Sequence, residues 1–490
     1  MIGSKNFSIG ANEFLAGVTS GANTNDGGLS NETRAINITS VPGTIYAPAQ
    51  EVDESTNLSD EIIASCEDIF GGLPSYRRMM LDDTGNFYFF SGTTLTKKAT
   101  ASADLFTQGT TDFVGWYSTS GTRYYATTKS GANGDIVEWD RNVALDEDWW
   151  TTLDGGQSDL LATTPWRPML VYESNLYVGD GNLLHRIAPD LTVSNSILSL
   201  AYGENISALG IDQSTGKMLI ATNKGLNASG TENQIVRIYI YDGYSNKAMR
   251  VIPSSGLVTA FKSVGNTTFV FYGNKLGYWT GSGIEYLRTL NFAKGDSDYL
   301  VYPHRTTNID NTLYWVDTAI SGDYKAHCMV MAYGETVNNV NAFYPVLYPA
   351  AAASQKKDIT CLAATSSTKL GFSYETSKFY TFDTTSVATN GEGVFYTKRY
   401  DFPKDVTFNG VIVDFDLVMP INGSSASVQV IDSKNNTTTL PSMTPGTRTD
   451  MYEFTSNYPT IETRSIQLRV TMSNKVNGIR RITVFYTPKE

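Results

Sequence analysis

Phe261-Lys-Ser-Val-Gly-Asn-Thr-Thr-Phe-Val-Phe-Tyr-Gly-Asn-Lys-Leu-Gly-Tyr-Trp279 holds apolar runs separated by glycine–asparagine pairs. Phe269–Tyr272 is aromatic and β-branched, which favours an extended strand. Gly265-Asn266 turns the chain into it and Gly273-Asn274 turns the chain out toward Leu276–Trp279. Glycine and asparagine accept positive φ, so both pairs fit two-residue hairpin turns. The decisive property of this stretch is that it recurs.

Upstream, Gly85-Asn86 leads into Phe87–Phe90. Asp112–Tyr117 passes through Gly121 to Tyr124-Tyr125 and Ile136–Trp139. Pro168–Tyr172 leads to Leu176–Val178, Gly179-Asp-Gly181 and Leu183–Ile187. Ile206–Ile211 turns at Ser214-Thr-Gly216 into Met218–Ile220 and Ile235–Tyr241. Downstream, Thr307–Asn311 leads to Leu313–Val316 and Cys328–Met331, and Ile359–Leu362 to Lys369–Phe372 and Lys378–Phe382. These units of strand, turn, aromatic strand, turn and strand recur about every 47 residues, the spacing of radial β-repeats. Stacking such sheets around a ring buries both faces without long exposed edges. The expectation is an all-β chain carrying a divergent β-propeller of about seven blades. Six or eight blades, or two packed sandwiches, remain the alternatives.

Three regions are expected: an extended N-terminal arm over 1–65, the propeller over 66–394, and a β-sandwich over 395–490. The arm is rich in Gly, Asn, Ser and Thr and lacks a sustained apolar period, so it cannot build its own core. It reads either as a loose terminus or as an arm ordered on a neighbouring subunit. Asn57–Cys66 reads as a short helix capped by Ser59. Residues 335–358, with Pro345 and Pro349, read as a long loop between blades. Beyond 395, Phe408–Val418, Ala426–Ile431, Ser465–Thr471 and Arg481–Tyr486 alternate apolar and polar positions, as strands with one buried face do.

Composition bounds the function. A net charge of −12 argues against gripping a nucleic-acid backbone, which takes clustered Lys and Arg. Cys66, Cys328 and Cys361 are too few and too odd in number for a disulfide framework. No charged-then-apolar leader opens the chain and no apolar run is long enough to span a bilayer, so synthesis in a cytoplasm without membrane insertion is expected.

Motifs for chemistry are sparse. His185, His304 and His327 do not stand at metal-ligand spacing, and no Cys-x-x-Cys occurs. Each reads as a core or surface histidine. Asp146-Glu-Asp-Trp-Trp150 sets acids beside aromatic rings, as glycosidases do, but reads as an acidic loop with packed tryptophans. Asp82–Asn86 and Asp212–Gly216 lack calcium-loop spacing and read as Asx-type turns. No catalytic, cofactor-binding or metal residue is assigned, no cofactor is expected, and the chain is expected not to be an enzyme.

The run Gly265–Tyr286, with an aromatic strand ending Phe271-Tyr-Gly273 and a second running Gly277-Tyr-Trp-x-Gly-x-Gly-Ile-Glu-Tyr286, resembles the tail hub, nozzle or "packaged DNA stabilisation" proteins of tailed bacteriophages. So does the close, Arg464–Val470 through Ile479–Val484. The likeness covers roughly residues 200–490. It implies a structural virion protein of the tail or neck. That protein would be assembled as a homo-oligomeric ring in the bacterial host cytoplasm. Its partners would be portal, adaptor, tail and fibre proteins, with DNA passing through a lumen without specific binding. An acidic lining would let the phosphate backbone slide. The alternatives are a glycan- or receptor-binding propeller on the tail and, third, a propeller glycoside hydrolase or lyase.

Overall fold

A computed structural model describes residues 5–9, 18–19, 29–30, 39–41, 44–46, 53–57, 62–67, 78–82, 87–91, 94–99, 110–118, 121–128, 136–140, 150–152, 166–224, 235–290, 300–321, 324–335, 341–347, 359–374, 378–383, 392–397, 399–415, 425–440, 449–453, 460–473 and 479–489. Among them every regular element is a strand except the 3-10 turn Pro303–Arg305, and no helix is long and apolar enough to cross a membrane. The fold is all-β and propeller-like.

The described strands form seven four-stranded antiparallel sheets and one twelve-stranded sheet. Sheets one to seven are numbered here in chain order. Their first strands are Ile62–Glu67, Thr110–Ser118, Met169–Tyr172, Glu204–Ile211, Val258–Val264, Thr306–Ile309 and Ile359–Ala364. Each first strand touches the next, and Ile359–Ala364 returns to Ile62–Glu67, so the contacts close a cycle. Sheet seven takes its fourth strand, Asp53–Asn57, from far upstream, paired with Lys378–Asp383.

The chain divides into two compact units. The first strands lie together in the unit made of 53–315 and 359–381. The other unit comprises 1–52, 316–358 and 382–490.

Sheet five shows why the sequence folds this way. Gly265 and Gly273 sit at φ +55 and +56, the left-handed values that its two tight hairpins need. Thr267–Tyr272 is almost wholly buried, whereas the outer strand Ile284–Thr289 is half-exposed or exposed throughout. At Gly277 a Cβ would lie 2.4 Å from the Glu285 carbonyl oxygen. A larger residue there would push the outer strand away.

Apolar side chains fill the spaces between successive sheets. Trp116, Tyr125, Met169 and Leu176 join sheets two and three. Tyr177, Leu184, Ile206 and Met218 join three and four, and Leu219, Ile238, Val270 and Trp279 join four and five. Ile62, Met80 and Tyr88 of sheet one meet Cys361, Ala363 and Phe379 of sheet seven.

That last cluster corrects the helix expected over Asn57–Cys66. Ile62–Glu67 is a strand paired with Arg78–Asp82. Local capping signals are worth about 1 kcal/mol, less than burying Ile62 completely between two sheets. The loop expected over 335–358 is also corrected in part. Asn341–Leu347 is the outer strand of sheet six, paired with Tyr324–Glu335, and the Tyr333 and Phe343 rings lie 4.5 Å apart. Pro345 is tolerated because an outer strand has one unpaired edge. Residues 348–358 fall outside the described ones.

In the other unit, the sixteen-residue strand Tyr400–Phe415 pairs with Ile461–Ser473, Ile479–Pro488 and Thr449–Glu453. Ile461–Ser473 spends its first half on Tyr400–Phe415 and its second on Glu392–Tyr396 and Ser425–Ile431. Alternate residues are buried, as in Val411 and Val413, Leu468 and Val470, Ile482 and Val484. Lys5–Ile9 pairs with Ile479–Pro488, and Phe7 packs 4.5 Å from the Tyr400 ring.

Candidate functional site

A bulge recurs near the start of five of the seven first strands. Pairing slips by one residue at Ile63, Thr111, Ser207, Thr259 and Thr360. The extra residue leaves the ladder and re-aims its side chain. Ser207 uses that freedom to reach sheet five, and Thr259 to reach the segment that leads into sheet six. The Ser207 hydroxyl donates to Val258 O at 2.7 Å and the Thr259 hydroxyl to Val301 O at 2.6 Å. At related positions, Asp112 Oδ2 accepts from Met169 N at 2.7 Å and Thr307 Oγ1 accepts from Ala364 N at 3.0 Å. Polar stitches thus join the first strands of sheets two and three, four and five, and six and seven.

Inside that cycle lies a cavity of about 280 Å³. Its wall includes Ser65, Asp112, Trp166, Phe261, Tyr302 and His304, all half-buried. The Tyr302 and His304 rings are parallel within 8°, with centroids 5.8 Å apart. Burial pushes the Asp112 carboxyl up to about 6, against two backbone N–H donors, Met169 and Phe113, that favour its charge. Burial, helped by the neighbouring Arg305 cation, pulls His304 down to about 3.

The two groups oppose each other in acid. Unfolded His304 takes up a proton below its ordinary 6.5 while the folded ring stays neutral to about 3, so stability falls as pH drops through that window. Folded Asp112 takes up its proton near 6 and the unfolded group only near 3.8, which returns part of the loss. His304→Asn is therefore expected to flatten the decline of Tm between pH 6.5 and 4.5. Identical slopes for the variant and the natural chain would disprove the assignment.

Two buried charge clusters accompany sheets three and four. Arg167 Nε donates to Asp180 Oδ1 at 2.9 Å, and both side chains are fully buried. His185 Nε2 stands 4.0 Å from Asp180 Oδ2. Ser196 N donates to His185 Nδ1 at 3.3 Å, Asn195 Oδ1 stands 3.2 Å from the same nitrogen, and burial lowers the pKa of this histidine. In sheet four, Glu204 Oε2 accepts from the Thr222 and Tyr239 hydroxyls at 2.8 Å each, and Oε1 accepts from Arg237.

The histidines thus have distinct places. His185 belongs to the Asp180 cluster and His304 to the cavity, whereas the His327 side chain lies outside the described residues, as do 83–86 and 146–149. Asp212 accepts from Ser214 N at 2.9 Å and from the Ser214 and Thr215 hydroxyls at 2.7 Å each, the self-contained pattern of an Asx turn. Among the described residues, no three His, Cys, Asp or Glu side chains are grouped to hold a metal ion. Asp112, Arg167, Asp180 and Glu204 went unassigned in the sequence because they meet their partners on other strands. One signal was present: Ile206-Ser-Ala, Val258-Thr-Ala and Ile359-Thr-Cys repeat an aliphatic, hydroxyl, small triplet at three of the five bulges.

No protein-family model matches the chain, and no curated protein matches it. Among solved structures it is similar to one of the mitotic checkpoint complex, at 13% identity and TM-score 0.38, over 70% of this chain and 95% of that one. It is similar to the soluble aldose sugar dehydrogenase of Escherichia coli, at 10% identity and TM-score 0.37, over 55% and 96%. It is also similar to a fructofuranosidase of Schwanniomyces occidentalis, at 7% identity and TM-score 0.29, over 93% and 98%. With glycoside hydrolases and sugar dehydrogenases among these neighbours, the expectation that the chain is not an enzyme is overturned as a reading of its architecture. At such identities the likeness concerns the fold and carries no activity to this chain.

Proposed function

We propose that the chain is a structural subunit of a tailed-bacteriophage virion, a hub or nozzle component of the tail or neck. In this reading the seven sheets are the blades of a seven-bladed propeller closed by Asp53–Asn57, and the C-terminal strands make a β-sandwich. Copies assemble as a ring that meets portal, adaptor, tail and fibre proteins, with DNA passing through the ring's lumen unbound.

The observation that carries the reading is the hub-like run Gly265–Tyr286. It forms consecutive strands of sheet five and ends on an outer strand where Glu285 and Tyr286 are exposed. A rigid body with an outward acidic and aromatic edge suits a ring subunit. The net charge of −12 supports a duct that repels phosphate rather than holding it.

The test is the mass of the purified protein in solution, with and without residues 1–52, a cut that spares the strand closing sheet seven. A ring-sized oligomer with no retardation of duplex DNA at physiological salt is expected. A monomer at every concentration, or tight duplex binding, would sink the proposal.

A further inference from the structure

Independently of any virion role, we propose that the cavity enclosed by the first strands is a binding site for one neutral sugar ring. Its volume of about 280 Å³ stands at the small end of ligand pockets, enough for a single ring and too little for a peptide helix or a nucleic-acid strand. Its wall combines two kinds of surface. Trp166, Phe261 and the parallel pair Tyr302 and His304 supply aromatic area. Ser65 and Asp112 supply polar atoms. Aromatic faces with a few polar groups at the rim match the C–H faces and edge hydroxyls of a pyranose.

Charge narrows the ligand further. Of the described wall residues, the basic ones are Arg167 and His304. The Arg167 guanidinium is turned away into its fully buried pair with Asp180, and His304 is held neutral. Asp112 places a carboxyl on the same wall, so an anionic ligand meets a like charge there and no free cation among the described wall residues. Each Asp112 oxygen accepts one backbone N–H, from Phe113 or from Met169. A carboxylate oxygen has a second lone pair, which can accept a sugar hydroxyl. These backbone bonds also fix the carboxyl in place before any ligand arrives.

The experiment titrates the full chain with methyl glucoside, galactoside, mannoside and N-acetylglucosaminide. Saturation-transfer NMR and tryptophan fluorescence read the binding, with inorganic phosphate and glycerol as controls. At least one glycoside is expected to saturate with a millimolar Kd. Trp166→Ala is expected to weaken it about tenfold. Ser65→Phe, which fills the cavity from the first strand of sheet one, is expected to abolish it. Circular dichroism checks that each variant is folded, and Ser65→Phe decides the matter should Trp166→Ala fail to fold. The proposal is overturned if no glycoside saturates, if phosphate binds where sugars do not, or if the affinity is unchanged in the folded variants.

Discussion

Asp180→Ala lowers the unfolding free energy by about 3–5 kcal/mol, because it strands a buried guanidinium. Arg167 and Asp180 are both fully excluded from solvent and joined at 2.9 Å. Removing the carboxylate takes away the countercharge while leaving the cation where water cannot reach it. His185, already 4.0 Å from the same carboxylate, loses the neighbouring charge that favours its protonated form. The diagnostic comparison is with the double variant Arg167→Met/Asp180→Leu, which removes both charges. It recovers most of the loss, since replacing a buried pair by apolar groups of like volume is often neutral. Urea midpoints and slopes for the single and double variants measure this. A single variant within about 1 kcal/mol of the natural chain would mean that the pair is solvated after all.

Glu204→Ala is the second large effect, expected at about 2–4 kcal/mol. The carboxylate is 1% exposed and accepts from Thr222, Tyr239 and Arg237. Arg237 is about a third exposed and can turn to water. The Thr222 and Tyr239 hydroxyls are buried, so each loses its acceptor with no solvent to replace it. Burial and the Glu204 hydrogen bond both hold the Tyr239 phenol above its ordinary pKa, so the variant also lowers the pH at which this tyrosine ionises. An ultraviolet titration separates that local change from a general loosening. Glu204→Ala combined with Tyr239→Phe and Thr222→Val costs less than the sum of the three single changes, because the orphaned groups are removed together.

The sequence reads well where local chemistry and tertiary structure agree. The central strands of the sheets are almost wholly buried, so Thr267–Tyr272 and Met218–Lys224 appear as dense apolar runs bounded by glycine turns. The fourth strands are harder. Val193–Ser199 and Ile284–Thr289 are mostly half-exposed or exposed, so neither has the apolar run that marks a central strand. The fourth strand of sheet seven could not be assigned at all, since Asp53–Asn57 is polar and its partner lies more than three hundred residues downstream. Ile62–Glu67 was misread because an acidic segment after a serine mimics a helix start. The cavity was illegible for a different reason. Asp112, Trp166 and His304 come from separate repeats, and only ring closure brings them to one wall.

The strand that completes sheet seven has a consequence for how the protein is made. Asp53–Asn57 leaves the ribosome long before Lys378–Asp383 exists to receive it. Until then Asp53–Asn57 has no partner strand of sheet seven to pair with. Pairing across so great a sequence separation is slow, and the same hydrogen bonds form equally well between two chains. Crowded synthesis therefore favours exchanged dimers, in which each copy completes the other, while dilution favours self-closure.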